Sequence, residues 1–123
     1  MQFTNPPRVE EKTKAAEGIH KIRLCKPQEC TQKGWNFIRF PFEYLEESAE
    51  VPNEFCLFDL PMGYSEKEYN DFCRRVTQIR DCFDFTGTLD SVGLELWEGK
   101  IGKVEIGKDK NGFLVVKRFI SAV

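Results

Sequence analysis

The segment WNFIRFPF, residues 35–42, constrains the fold most, because it has two unlike faces when it is interpreted as a strand. Successive side chains of a β-strand point to opposite faces of the sheet. One face receives the apolar residues Ile38, Phe40 and Phe42. The other face receives two rings beside a guanidinium, from Trp35, Phe37 and Arg39. The segment predicts a strand with one face in the core and one candidate stacking face.

Strand patterns fill most of the remaining chain. GIHKIRLC (18–25) alternates, FCLFDL (55–60) is a short apolar run, and FLVVKRFI (113–120) follows an Asn-Gly pair typical of a hairpin. LELWEGKIGKVEIG (94–107) predicts one or two further strands, and residues 28–34 predict a polar turn. Only residues 65–83 predict a helix, since Ser65 and Glu68 form a capping box before apolar residues at helical spacing.

The resulting order is three strands, one helix and two strands. The OB-fold, a Greek-key barrel that binds oligonucleotides, has this order, although other α+β folds share it. We therefore predict a mainly β domain over residues 18–123, a five-stranded OB-fold-like barrel with one α-helix between strands 3 and 4. Residues 1–17 contain Asn5-Pro6-Pro7 and few apolar side chains, which predicts a flexible or irregular arm.

Charge is sorted along the 123-residue chain, whose net charge is −2. Residues 19–40 carry five basic residues and one acidic residue, and residues 43–59 carry six acidic residues and no basic one. Residues 97–118 carry six basic and three acidic residues. Such sorting can give an acidic protein a basic face, or it can simply solvate several faces.

Little in the sequence indicates catalysis or a cofactor. The single histidine, His20, falls on the apolar face of the first strand, and no phosphate-binding loop or nucleophile motif is present. Cys25 and Cys30 lie near His20, but further ligands at metal-site spacing are missing, so the five cysteines are expected to be reduced thiols. We predict a protein that is not an enzyme and needs neither a metal nor a cofactor.

Aromatic side chains next to lysine and arginine side chains are typical of proteins that bind single-stranded nucleic acid. Bases stack on aromatic side chains while a basic groove follows the phosphates. Trp35, Phe37 and Arg39 share one face, and Lys21 and Arg23 face outward from the first strand. The alternative is that both rings belong to the core and Arg39 extends past them to solvent. A second alternative is a non-enzymatic protein-interaction module that uses the acidic loop and a strand edge.

Two stretches carry a resemblance to a known family. EGIHKIRLCKPQECTQKGWNFIRFPFEYL and LWEGKIGKVEIGKDKNGFLVVKRFI resemble the small single-stranded DNA-binding proteins of bacteriophages and prophages. The resemblance spans roughly residues 17–120. It implies an OB-fold without catalytic activity that binds single-stranded DNA independently of sequence, in phage DNA replication or recombination. With the same resemblance, the protein-interaction alternative becomes a phage accessory or inhibitor factor.

The resemblance also implies contact residues and partners. We add to these contact residues the two outward basic residues of the first strand. The candidate nucleic-acid-binding set is then Lys21, Arg23, Lys33, Trp35, Phe37, Arg39, Lys100, Lys103, Lys108 and Lys110. The expected partners are single-stranded DNA, a second copy of the chain in a homodimer, and replication or recombination proteins. No apolar run is long enough for a membrane helix and no signal-peptide core is visible, so we expect a cytoplasmic protein, in the host cytoplasm if phage-encoded.

Overall fold

A computed structural model describes residues 14–46, 48–90 and 92–122. The described chain contains six strands and one α-helix, which confirms a mainly β fold. The strands are β1 (Gly18–Leu24), β2 (Gln28–Gln32), β3 (Trp35–Tyr44), β4 (Glu54–Phe58), β5 (Ile101–Lys108) and β6 (Leu114–Ile120). Helix α1 (Glu66–Cys82) lies between β4 and β5, and a short 3-10 turn (Leu94–Trp97) precedes β5.

The predicted polar turn at residues 28–34 is wrong for its first five residues, which form β2, whereas Lys33 and Gly34 do form a turn. Strands β1 and β2 follow one another along β3, where Leu24 pairs with Phe42 and Gln28 with Arg39. The three residues between Leu24 and Gln28 therefore lie opposite the two residues between Arg39 and Phe42, which is the geometry of a β-bulge. Pro41 lies opposite this bulge, and its carbonyl accepts a hydrogen bond from the Cys25 N–H (2.8 Å).

All named strand pairs are antiparallel, in the order β2-β3-β1-β5-β6, with β4 on the other edge of β3. Among the described residues no strand pairing joins β4 to β6, so the sheet is open and the expected closed five-stranded barrel is not observed. The helix was predicted after the third strand and in fact follows the fourth. The additional strand is β2, whose polar sequence carries no strand signal of its own.

The core lies on the inner face of the curled sheet. Phe55 of β4 is central: its ring stacks on Phe40 of β3 (centroids 4.9 Å apart) and meets Phe119 of β6 edge-on at 4.8 Å. Helix α1 adds Val76, Ile79 and Cys82 to this core. Burying each large apolar side chain contributes about 1.5–3 kcal/mol, so these contacts hold the two ends of the open sheet together.

The capping box predicted for α1 is confirmed. The Ser65 hydroxyl accepts a hydrogen bond from the Glu68 N–H, and the Glu68 carboxylate accepts one from the Ser65 N–H, both at 3.1 Å. The apolar stripe of α1 is buried only in its second half, since Tyr69 is 47% exposed whereas Ile79 is 1% exposed. In the part of the chain described here, no helix has the length and apolar character that crossing a bilayer requires.

The segment LELW was predicted to be strand and instead forms the 3-10 turn. Trp97 closes it and is fully buried, with its indole N–H donating to the Thr88 carbonyl (3.0 Å). The hairpin predicted between the last two strands is confirmed. The Asp109 carboxylate accepts hydrogen bonds from the N–H groups of Asn111 and Phe113, which closes the turn between β5 and β6.

The predicted N-terminal arm falls mostly on residues 1–13, which lie outside the described residues. Within residues 14–17, Ala15 is buried and its N–H donates to the Val51 carbonyl (2.7 Å). Lys14 forms an isolated parallel bridge with Val51. This segment therefore packs against the connection between β3 and β4.

Candidate nucleic-acid interface

The hairpin between β2 and β3 presents the candidate face. Lys33 and Gly34 form its two-residue turn, and both have positive φ, 51° and 80°. Positive φ at both positions gives type I′ geometry, which matches the twist of paired strands. The turn sets the register, with Gln32 opposite Trp35. Lys33 is therefore exposed at the tip of the hairpin, close to the start of β3.

The predicted division of β3 into two faces is confirmed. Phe40 and Phe42 are 0% and 4% exposed and belong to the core. Trp35 on the opposite face is 51% exposed. The alternative in which the Trp35 ring is a core residue is therefore wrong, while Phe37 is half-buried.

Three aromatic rings form one patch on the outer face of β3 and β4. The register places Phe58 opposite Phe37, with ring centroids 5.2 Å apart. The Trp35 ring meets Phe58 edge-on at 6.5 Å, and Phe58 itself is 53% exposed. We name Trp35, Phe37 and Phe58 the aromatic platform. Clustered exposed rings of this kind are typical of binding surfaces, whereas single exposed apolar residues are not.

Both arginines of the candidate set are paired with carboxylates. Arg39 lies on the outer face of β3 and forms an ion pair with Glu54 of β4, with both side chains more than 40% exposed. Arg23 of β1 pairs with Glu43 of β3 at 2.9 Å. Such exposed pairs add at most about 1 kcal/mol to stability. A phosphate must therefore compete with a carboxylate for each guanidinium.

Two lysines oppose each other on the outer surface of the sheet. The register pairs Lys21 of β1 with Lys103 of β5, and both are exposed. Within the described residues neither forms an ion pair. Like charges directly opposite one another destabilise a sheet by a few tenths of a kcal/mol or more, roughly. A bound anion such as a phosphate would relieve this repulsion.

The remaining lysines of the set lie apart from the platform. Lys100 is half-buried, and its ammonium group lies over the Phe85 ring, 4.6 Å from the centroid. Lys108 ends β5 and contacts Glu17 at 3.8 Å, while Lys110 is exposed in the turn that follows. The register places this turn beside the start of β1, whereas Lys33 lies beyond the end of β2.

Two features of the site were missing from the prediction. Phe58 and the carboxylates Glu43 and Glu54 reach the candidate residues only through the pairing of β3 with β1 and β4. The one available signal was the alternation within FCLF, which puts Phe58 on the face opposite Phe55 and Leu57. Without the strand register, that alternation could not say which residue of β3 lies next to Phe58.

The described residues do not form a metal centre. They contain no group of three or more histidine, cysteine or acidic side chains placed to hold a metal ion. His20 is half-buried, with its Nε2 2.5 Å from the Ala16 carbonyl oxygen. Asp90 accepts hydrogen bonds from the Gly93 N–H and the Thr88 hydroxyl, which lower the pKa of its carboxyl. Asp90 therefore acts as a turn cap.

Comparisons with known proteins add no assignment to this geometry. Neither protein-family models nor curated proteins matched the chain.

Proposed function

We propose that this protein binds single-stranded DNA without sequence preference and without catalysis, as a phage-type replication or recombination factor. The aromatic platform is the observation that carries the proposal. Its three rings are neighbours, two are about half exposed, and the basic hairpin tip lies beside them. Stacking of a base on such a ring contributes about 1–3 kcal/mol and tolerates every base.

The sheet order supports an OB-like architecture for this function. When β1 and β2 are counted as one bulged strand, the strands follow the order of an OB barrel that is open between β4 and β6. In that fold oligonucleotides bind across the second and third strands and the neighbouring loops. Here these strands are β3 and β4, which carry the aromatic platform, and one of the loops is the turn with Lys33.

Only a few lysine side chains of the candidate set are free to contact phosphates. Lys21, Lys33, Lys103 and Lys110 are exposed and, in the described part of the chain, without an ion pair. If all four contact phosphates, the slope of log affinity against log salt is about −2.8 for a single strand. Raising salt from about 50 to about 200 mM would then weaken binding roughly 50-fold.

The two tryptophans make a direct test possible. Trp35 is half exposed on the platform, whereas Trp97 is fully buried. Titration with a dT oligonucleotide should quench only the Trp35 emission, so part of the fluorescence remains at saturation. In the variant Trp35→Phe the quench should disappear while binding, followed by anisotropy of labelled DNA, is largely kept. Trp35→Ala should bind about 5- to 150-fold more weakly.

The matched control is Tyr64→Ala. Tyr64 is 50% exposed, nearly the same as Trp35, and it stacks on Tyr69 instead of on the platform. This variant should bind DNA like the unmodified protein. Absence of any anisotropy change at low salt, or equal losses in Trp35→Ala and Tyr64→Ala, would refute the proposal.

A further inference from the structure

Among the described residues, strand β4 is paired along one edge only. It pairs with β3, and no other described strand pairs with it. The Asn53 carbonyl accepts from the Phe42 N–H (2.8 Å), and the Asp59 N–H donates to the Asn36 carbonyl (2.9 Å), so these odd-numbered positions face β3. In an antiparallel strand the intervening residues direct their N–H and C=O to the other side. The open edge therefore presents the backbone of Glu54, Cys56 and Phe58.

A groove separates this open edge from helix α1. It encloses about 430 Å³ and runs from β4 along the connection to the helix. Its apolar lining comes from Leu57, Leu60 and Phe72. An unpaired edge beside an apolar groove is a template on which an extended peptide can add as a further strand.

The rim of the groove is acidic. Asp59, Glu68 and Asp71 line it, and Arg75 is the one basic residue among its lining residues. The Arg75 guanidinium lies over the Phe119 ring, 5.8 Å from the centroid. Asp71 also pairs with the Arg74 guanidinium (3.5 Å), both being exposed. Three carboxylates against these two cations leave the rim negative, which disfavours a nucleic-acid backbone and favours lysine or arginine side chains.

We infer that this groove docks an extended basic segment of a partner protein by strand addition to β4. Backbone hydrogen bonds to Cys56 and Phe58 would supply affinity. Alternate side chains of the bound segment would contact the apolar lining and the acidic rim, which supplies selectivity. The groove is a second surface next to the face proposed to bind DNA, and the two surfaces share Phe58.

Strand addition can be tested with the full chain and a synthetic peptide. The probe is an end-blocked peptide of alternating lysine and valine, about seven residues long, the length of an ordinary strand. Added to ¹⁵N-labelled protein, it should shift the amide signals of Cys56 and Phe58 most and slow their hydrogen exchange. A matching peptide of glutamate and valine should not bind.

Backbone methylation separates strand addition from simple charge attraction. Two forms of the lysine peptide are N-methylated, each on one of the two alternate sets of amides. Only one set can face β4, so only one form should lose affinity, by about tenfold or more as its hydrogen bonds to the edge disappear. Equal affinity of the two forms, or no binding of the unmethylated peptide, would overturn the inference.

Protein variants test the acidic rim. Asp71→Asn should weaken peptide binding about 1.5- to fivefold, the range for one exposed charge pair. Glu66→Gln, on the same helix but outside the groove, should leave it unchanged. If the Cys56 and Phe58 signals instead move with protein concentration alone and sedimentation shows a dimer, a second copy occupies the edge and the basic partner is refuted.

Discussion

Replacing Glu54 by glutamine should strengthen DNA binding. In the folded protein the Glu54 carboxylate forms an ion pair with Arg39, beside the aromatic platform. Glutamine keeps the size of the side chain and removes its charge, so the guanidinium becomes available to a phosphate. The pair is exposed and contributes at most about 1 kcal/mol, so the variant should remain folded.

The size of the effect follows from counterion release. Each phosphate contact on a single strand changes the slope of log affinity against log salt by about −0.7. We take the variant and the unmodified protein to bind equally well at about 1 M salt. One additional contact through Arg39 then makes the variant bind about eightfold more tightly than the unmodified protein near 50 mM salt, and about threefold more tightly near 200 mM. The gain should shrink steadily as salt increases.

Fluorescence anisotropy of a labelled dT oligonucleotide at several salt concentrations measures both the affinity and the slope. The matched control is Glu66→Gln, which makes the same change of net charge on helix α1, away from the platform. If Glu54→Gln binds no better than this control, or gains affinity with an unchanged slope, the Arg39 guanidinium does not contact phosphate and the reasoning is wrong.

Three further predictions follow from the structure. Phe42→Ala should lower the free energy of unfolding by about 3–5 kcal/mol, because the ring is 4% exposed; urea unfolding measures this, and a loss below about 1 kcal/mol would contradict it. Lys103→Gln should stabilise the sheet by roughly 0.2–1 kcal/mol, because it removes the repulsion with Lys21. The same variant should bind DNA more weakly, with a salt slope smaller by about 0.7. An unchanged slope would show that Lys103 contacts no phosphate. Burial raises the pKa of Cys82 from 9.0 to about 11, so ionisation of this thiol in the unfolded chain should lower stability as pH rises from about 9 to 11. Cys82→Ala should lose that part of the pH dependence. Identical profiles of unfolding free energy against pH for the variant and the unmodified protein would refute this.

Local signals predicted the elements that local interactions form. The capping box of α1 joins residues three positions apart, and both of its hydrogen bonds are present. The alternation along β3 likewise depends only on the geometry of one strand, and it correctly separated Phe40 from Trp35. The hairpin at Asn111 depends on the conformation of a few adjacent residues, so it too could be predicted.

Elements that depend on distant pairing could not be predicted. Residues 28–32 are polar and indicate a turn, but they form β2 because β3 offers them a hydrogen-bonding partner. Leu94 and Trp97 have strand-like side chains, yet the turn they form places the Trp97 indole against Thr88 and into the core. In both places the tertiary partner outweighed the local preference.

The sequence by itself determined that this chain is mainly β, where helix α1 begins, and which residues of β3 face outward. These properties follow from side-chain alternation and short-range hydrogen bonds. Only the tertiary structure decided that Phe58 joins Trp35 and Phe37, that Glu54 reaches Arg39, and that no described strand pairs with the second edge of β4. Strand register and sheet closure decide these contacts, because they depend on residues far apart in the chain.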